Sequence, residues 1–181
     1  MTTTPEAHAR LSPSGAKKWF ACPGSLTMEA PFPNKSSTHS DDGTAMHDVA
    51  ARCLTQHERA SKYIGEWIPV DKGRKVQFDE EMADLTQDYV DYVRTKAIGH
   101  TLLVEQRLFF SKFVGMPDQF GTADSVIVNW PQGCVEVDDL KTGHRGVECE
   151  DNPQLMTYGV AVIGELYEKA MAQEAGDDPL Y

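Results

Sequence analysis

The sequence predicts an α+β fold with a small α/β core. Three observations lead there. Apolar residues recur at helical spacing in the first hundred residues, residues 101–141 carry strand composition, and a third long helical pattern begins after Asn152. Helices, then strands, then a helix is the order of an α+β chain rather than of a long run of βα units.

The elements follow in order. "LSPSGAKKWFACPGS" reads as a short helix, capped by Ser12, with Pro13 at its first position and "CPG" as its stop. "PFPNKSSTHSDDG" (31–43) is polar and turn-rich, and is expected to be a mobile loop. "TAMHDVAARCLTQHERA" is helical, with Met46, Ala50, Cys53 and Leu54 along one stripe and His47 on an adjoining one. "GEWIPVDKGRKVQ" is a turn-bearing insert. "DEEMADLTQDYVDYVRTKAIG" is a second helix, with acids in its first turn and a Gly stop. "TLLVEQRLFF" turns to strand composition. "GTADSVIVNW" is a strand, "PQG" a tight turn and "CVEVDDLK" the returning strand. "TGHRGVECED" is a loop. "NPQLMTYGVAVIGELYEKAMAQ" is a third long helix, with Asn152 as cap and Pro153 at the first position, and the tail "EAGDDPLY" is expected to fray.

The chain has 181 residues, 40% hydrophobic and 25% charged, which suits one globular domain with a real core. A single domain over 1–181 is expected, with a helical part at 11–60 and a core at 101–172. No apolar run approaches the roughly 20 residues that span a membrane, and "MTTTPEAHARLSPSG" has no apolar signal region. The expected setting is the cytoplasm. Cys22, Cys53, Cys134 and Cys149 form no CxxC pair, so neither a disulfide framework nor a local metal cluster is expected from them. Net charge is −11, which argues against non-specific nucleic-acid binding; residues 1–100 carry −2 and residues 101–181 carry −9. The acidic excess suits a cation site and equally suits solvated loops.

Within that acidic half, "GTAD" and "VDDLKTG" set three aspartates and a lysine beside apolar runs. Side chains alternate along a strand. Asp139 and Lys141 therefore share a face with Val135 and Val137, while Glu136 and Asp138 face the other way. A short turn makes the two strands antiparallel neighbours, which brings Asp124 near Asp139. Two carboxylates so placed repel one another, and Mg²⁺ or Mn²⁺ relieves the repulsion. The lysine beside them orients or deprotonates a water, or stabilises charge on a phosphate.

Asp124 followed by Asp139-Leu140-Lys141 resembles the D…(D/E)xK core of the PD-(D/E)XK nuclease superfamily. "GTAMH" resembles the histidine helix of its RecB-like branch, "VEQRL" the glutamate strand, and "NPQLMTYG" the QxxxY helix. "LSPSGAKKWFACPGS" looks like the N-terminal segment of phage-encoded members. The motifs run in order from about Leu11 to about Tyr158. The resemblance implies a central mixed sheet with an antiparallel hairpin, flanked by helices, as in restriction endonucleases. It implies His47, Asp124, Asp139 and the Leu140 carbonyl as metal ligands. Lys141 would be the catalytic lysine, and Glu105 would support the site or a second metal. Gln154 and Tyr158, at i and i+4, would orient the lysine or contact DNA phosphate. The implied activity is Mg²⁺- or Mn²⁺-dependent hydrolysis of DNA by a phage exonuclease in recombination or end processing. Implied partners are DNA and a phage recombination or single-strand-binding protein, with room for a homo-oligomer. No iron–sulfur cluster is expected, because nothing after Cys149 supplies the cysteine cluster its iron–sulfur relatives carry. The rival reading is a non-catalytic module of the same fold that binds a protein partner.

Plainer roles stand beside these. His47 alone reads as a surface or core histidine, and Asp139–Lys141 as a salt bridge. Glu105 can pair with Arg107, Tyr158 can simply pack, and Gln154 can simply sit in a first turn. His144 and Arg145 suit DNA contact or a solvated loop. A triad from Ser36, Ser37, His39 and Asp41 would sit on a poor scaffold.

Overall fold

The computed structural model describes residues 9–32, 38–142 and 146–176. A 3₁₀ turn at Pro13–Gly15 leads into α1 (Ala16–Ala21) and α2 (Ser25–Glu29). Helix α3 (Thr38–Gln56) is followed by a hairpin of β1 (Trp67–Pro69) and β2 (Lys75–Gln77). Helix α4 (Glu80–Lys96), β3 (Thr101–Phe109), the short α5 (Ser111–Val114), β4 (Phe120–Asn129), β5 (Cys134–Asp138) and α6 (Pro153–Gly176) complete the chain. The fold is α+β, as the element order predicts.

Local chemistry accounts for the best-defined helix starts. Asp79 caps α4, its Oδ1 accepting the Met82 N–H at 2.9 Å, with Glu80 and Glu81 in the first turn and Arg94 and Lys96 in the last. Asn152 caps α6, its Oδ1 accepting from the N–H of Gln154 at 2.9 Å and of Leu155 at 3.4 Å. The expected cap at Ser12 is not made: its hydroxyl bonds no helix N–H. The segment opens as a 3₁₀ turn closed by Gly15 N–H to the Ser12 carbonyl, which also accepts the Trp19 indole N–H at 2.9 Å.

Four boundaries differ from expectation. Residues 38–43 belong to α3 rather than to a loop, and residues 33–37 lie outside the described residues. The reason is Asp41, which is buried and held by Arg74 through two bonds, at 2.5 and 2.8 Å. The insert at 67–77 is an antiparallel hairpin that buries Ile68 beneath it. β5 stops at Asp138, short of Lys141. Residues 174–176 of the expected frayed tail are helical, and 177–181 lie outside the described residues.

The main sheet has the order β3-β4-β5. It is antiparallel where a mixed sheet was expected. The connections are too short for the crossover that a parallel pair needs: residues 110–119 join β3 to β4, and four residues, 130–133, join β4 to β5.

The described chain divides into two compact units, and β3 and β4 contribute residues to both. Among the described residues, one unit draws on 9–31, 107–123 and 149–176. Its buried apolar residues include Leu11, Ala16, Leu108, Phe110 and Ala123 and, on α6, Tyr158, Ala161 and Val162. Gly121 is required there: a Cβ on it would lie 2.4 Å from Pro13 Cγ and 2.8 Å from Tyr158 Cε1. The other unit draws on residues 32–106 and 124–148. Its core joins Met46, Val49, Ala50 and Cys53 of α3 to Val90 and Val93 of α4, with Phe78, Ile127 and Leu140. The stripe predicted for α3 is the buried one.

Candidate metal centre

The candidate site lies within the second unit and is assembled from three segments distant in sequence. On α3, burial of Met46, Ala50 and Cys53 leaves His47 at the rim of the core, about a third exposed. On β4, Asp124 precedes the buried run Ser125–Val128. On β3, Glu105 is exposed. His47 Nδ1 lies 3.0 Å from Asp124 Oδ1. The other oxygen of Asp124 accepts the Leu140 N–H at 2.6 Å. His47, Glu105 and Asp124 each offer one ligand atom, and these atoms all lie within 4.8 Å of one another.

Asp139 stands beside this triple rather than in it. Its side chain is only 7% exposed, and its Oδ2 is ion-paired with Lys141 Nζ. The expected strand alternation does not extend to this pair, because β5 has ended at Asp138. The two side chains meet all the same. Between them, Leu140 sends its side chain into the core and its N–H to Asp124, so the segment is pinned at its middle residue.

Electrostatics follow from this crowding. Burial works against a charged His47. The hydrogen bond and charge of Asp124, with the charges of Asp139 and Glu105, outweigh it and raise the imidazole pKa. Desolvation of its carboxyl by the neighbouring side chains raises Glu105, exposed though the residue is, and Asp124 raises it further against the opposing pull of His47. Burial also raises Asp139, opposed by its bond to Lys141 and reinforced by Asp124. These groups sit where negative charge is in excess. An imidazole and two carboxylates within mutual reach, with a third carboxylate close by, make a donor set that fits a divalent cation.

Glu105 carries a backbone signature of its own. Its φ is +49°, the left-handed region, in the interior of β3. Extended residues lie near −120° to −140°. A non-glycine residue held there costs on the order of 1–3 kcal/mol, and such strain gathers at functional sites.

Gln154 and Tyr158 belong to the first unit. Gln154 is in the first turn of α6, its N–H bonded to the Asn152 side chain. Tyr158 is 4% exposed, and its hydroxyl donates to the Thr122 carbonyl at 2.7 Å. That bond ties α6 to β4 in the first unit. His144 and Arg145 lie outside the described residues, as do Ser36 and Ser37 and the side chain of His39, while Asp41 is taken by Arg74. The four cysteines are free, with Cys53 buried and the other three exposed. Among the described residues no helix is long and apolar enough to cross a membrane.

Sequence reasoning passed over Tyr89 and Ser125, and turned Asp138 to the opposite face of its strand. The Tyr89 hydroxyl donates to Ser125 Oγ at 3.1 Å, and Ser125 Oγ donates to Asp138 Oδ2 at 3.2 Å. Burial and the neighbouring Glu136 push the Asp138 carboxyl up to about 6, against the Ser125 bond. The available signal was Ser125 itself, a small polar residue at the head of the apolar run "VIV".

No solved structure matches the chain. The sequence model of the DUF2800 family, described as proteins of unknown function, matches residues 8–169. The chain that carries this histidine–carboxylate cluster therefore belongs to the DUF2800 family.

Proposed function

We propose that the chain is a Mg²⁺- or Mn²⁺-dependent deoxyribonuclease of the RecB-like PD-(D/E)XK type, a phage-type exonuclease acting in recombination or DNA end processing. The observation that carries the reading is the convergence of His47, Glu105 and Asp124 beside the Asp139–Lys141 pair. Those residues come from the histidine, glutamate, aspartate and DxK motifs, which lie far apart in the chain.

His47, Asp124 and Glu105 would hold the cation, with Asp139 and the Leu140 carbonyl as the further ligands that the motif resemblance implies. When bound, the cation would activate a water and offset charge developing on the phosphate. Asp124 serves the site twice, offering one oxygen to the centre and fixing the Leu140 segment with the other. Lys141 is held by Asp139 at the exit of the hairpin, partly open to solvent. From there its ammonium would orient the attacking water or take up charge on the phosphate oxygens.

The test is a time course on end-labelled linear, nicked and circular DNA. Cleavage is expected with Mn²⁺ or Mg²⁺ and none with EDTA. Asp124→Ala and Lys141→Ala are each expected to lower the rate at least a hundredfold. Metal-independent cleavage, or full activity in both variants, sinks the reading. Mn²⁺ uptake without any cleavage moves support to the non-catalytic module.

A further inference from the structure

We infer that Tyr89, Ser125 and Asp138 are positioning residues for the cation site, an inference that rests on the metal-site reading and deepens it. The β4–β5 ladder ends at the pair Ser125↔Asp138. Asp124 on β4 and Asp139 just past the end of β5, the two aspartates of the D…DxK pattern, are the neighbours of that pair. The spacing of these two residues is thus set by whatever fixes the last rung.

Two side-chain locks act at that rung. Asp124 Oδ2 accepts the Leu140 N–H at 2.6 Å. Ser125 Oγ bonds Asp138 Oδ2 at 3.2 Å, directly across the pair. The hydroxyl of Tyr89 in turn donates to Ser125 Oγ from α4, a helix whose Val90 and Val93 are fully buried. The network is therefore tied to a rigid element rather than to a loop. Ser125 itself is fully buried.

Stability alone does not explain these residue types. A half-buried carboxylate is costly where a β-branched apolar side chain would pack without penalty. What the polar chain adds is a fixed orientation for the ends of two strands. Partners outside a metal's own ligands hold those ligands in aim, and their loss typically costs ten- to a hundredfold in metal affinity. The three residues would act through the backbone of their neighbours, without touching the cation.

The test uses Mn²⁺ and the full chain. Mn²⁺ affinity is measured by calorimetry and the electron paramagnetic resonance spectrum of bound Mn²⁺ is recorded, on the parent protein and on Ser125→Ala, Tyr89→Phe, Asp138→Ala and Asp138→Asn. Ser125→Ala and Asp138→Ala are expected to weaken Mn²⁺ about tenfold and to broaden the spectrum. Tyr89→Phe should weaken it about threefold. Asp138→Asn keeps an acceptor for Ser125 and should restore parent affinity within about twofold. A merely structural role would lower the melting temperature and leave the spectrum of bound Mn²⁺ unchanged; that result overturns the inference and spares the metal site. Tyr89→Phe, which removes a single hydroxyl, decides the matter if Ser125→Ala does not fold. A parent protein that takes up no Mn²⁺ overturns both.

Discussion

Asp124 divides its two oxygens between two tasks: Oδ1 faces His47, and Oδ2 accepts the Leu140 N–H. Around it His47, Glu105 and Asp139 all hold protons more tightly than usual. Protons and a cation compete for the same lone pairs. Mn²⁺ affinity should therefore rise as pH climbs through and above the ordinary imidazole value of 6.5, because His47 gives up its proton above that value. Calorimetry on both sides of that value checks it, and a flat profile would contradict it. Stability without metal runs the other way. The folded state binds these protons more tightly than the unfolded chain, so each group's contribution is present at low pH and lost as pH rises through its folded value. Glu105 adds a conformational prediction. With φ at +49° it occupies a backbone that glycine adopts freely. Glu105→Gly should be more stable than Glu105→Ala by about 1 kcal/mol in urea unfolding, while both lose Mn²⁺ affinity. Equal stabilities would argue against strain at this residue.

At the scale of elements, the helix starts at Asp79 and Asn152 were legible because a cap is a local hydrogen bond within three residues. The start of α3 was not legible, because Arg74, thirty-three residues away, holds Asp41 in its first turn. The end of β5 was missed for a related reason. "CVEVDDLK" keeps a strand-like composition through Lys141, but Asp124 withdraws the Leu140 N–H from any ladder. The β4 strand also carries a packing requirement that composition does not express. Gly121 lies against Pro13 and Tyr158 so closely that Gly121→Ala would place a methyl 2.4 Å from Pro13 Cγ. The expected loss is about 1–3 kcal/mol in chemical unfolding, the usual range for overpacking. A change under about 0.5 kcal/mol would show that the contact relaxes at little cost.

At the scale of the whole molecule, the charge of −11 is concentrated in the half of the sequence that supplies Asp124 and Asp139. A cation that binds only the folded chain stabilises it by mass action, about 2.7 kcal/mol at a hundredfold excess over its dissociation constant. Mn²⁺ should therefore raise the melting temperature of the parent protein, EDTA should reverse the rise, and Asp124→Ala should show little of it. A rise of equal size in Asp124→Ala would place the stabilising cation elsewhere. The division into two compact units drawn from interleaved segments has no local signal in the sequence. Membership of a unit depends on contacts between residues a hundred positions apart, such as Leu11 and Gln119.

By itself the sequence determined the α+β class, the capped starts of α4 and α6, the buried stripe of α3 and the candidate residues for a cation site. Those features depend on side-chain period, capping chemistry and residue type, all of which act within a few positions. Only the tertiary structure decided which of the candidates meet. His47, Glu105 and Asp124 converge, Asp139 pairs with Lys141, Tyr158 bonds the Thr122 carbonyl, and Ser125 links Tyr89 to Asp138. The physical reason is that a carboxylate's partner is set by distance in space, and "GTAD" and "VDDLKTG" specify their own strands but not the α3 and α4 side chains that close on them.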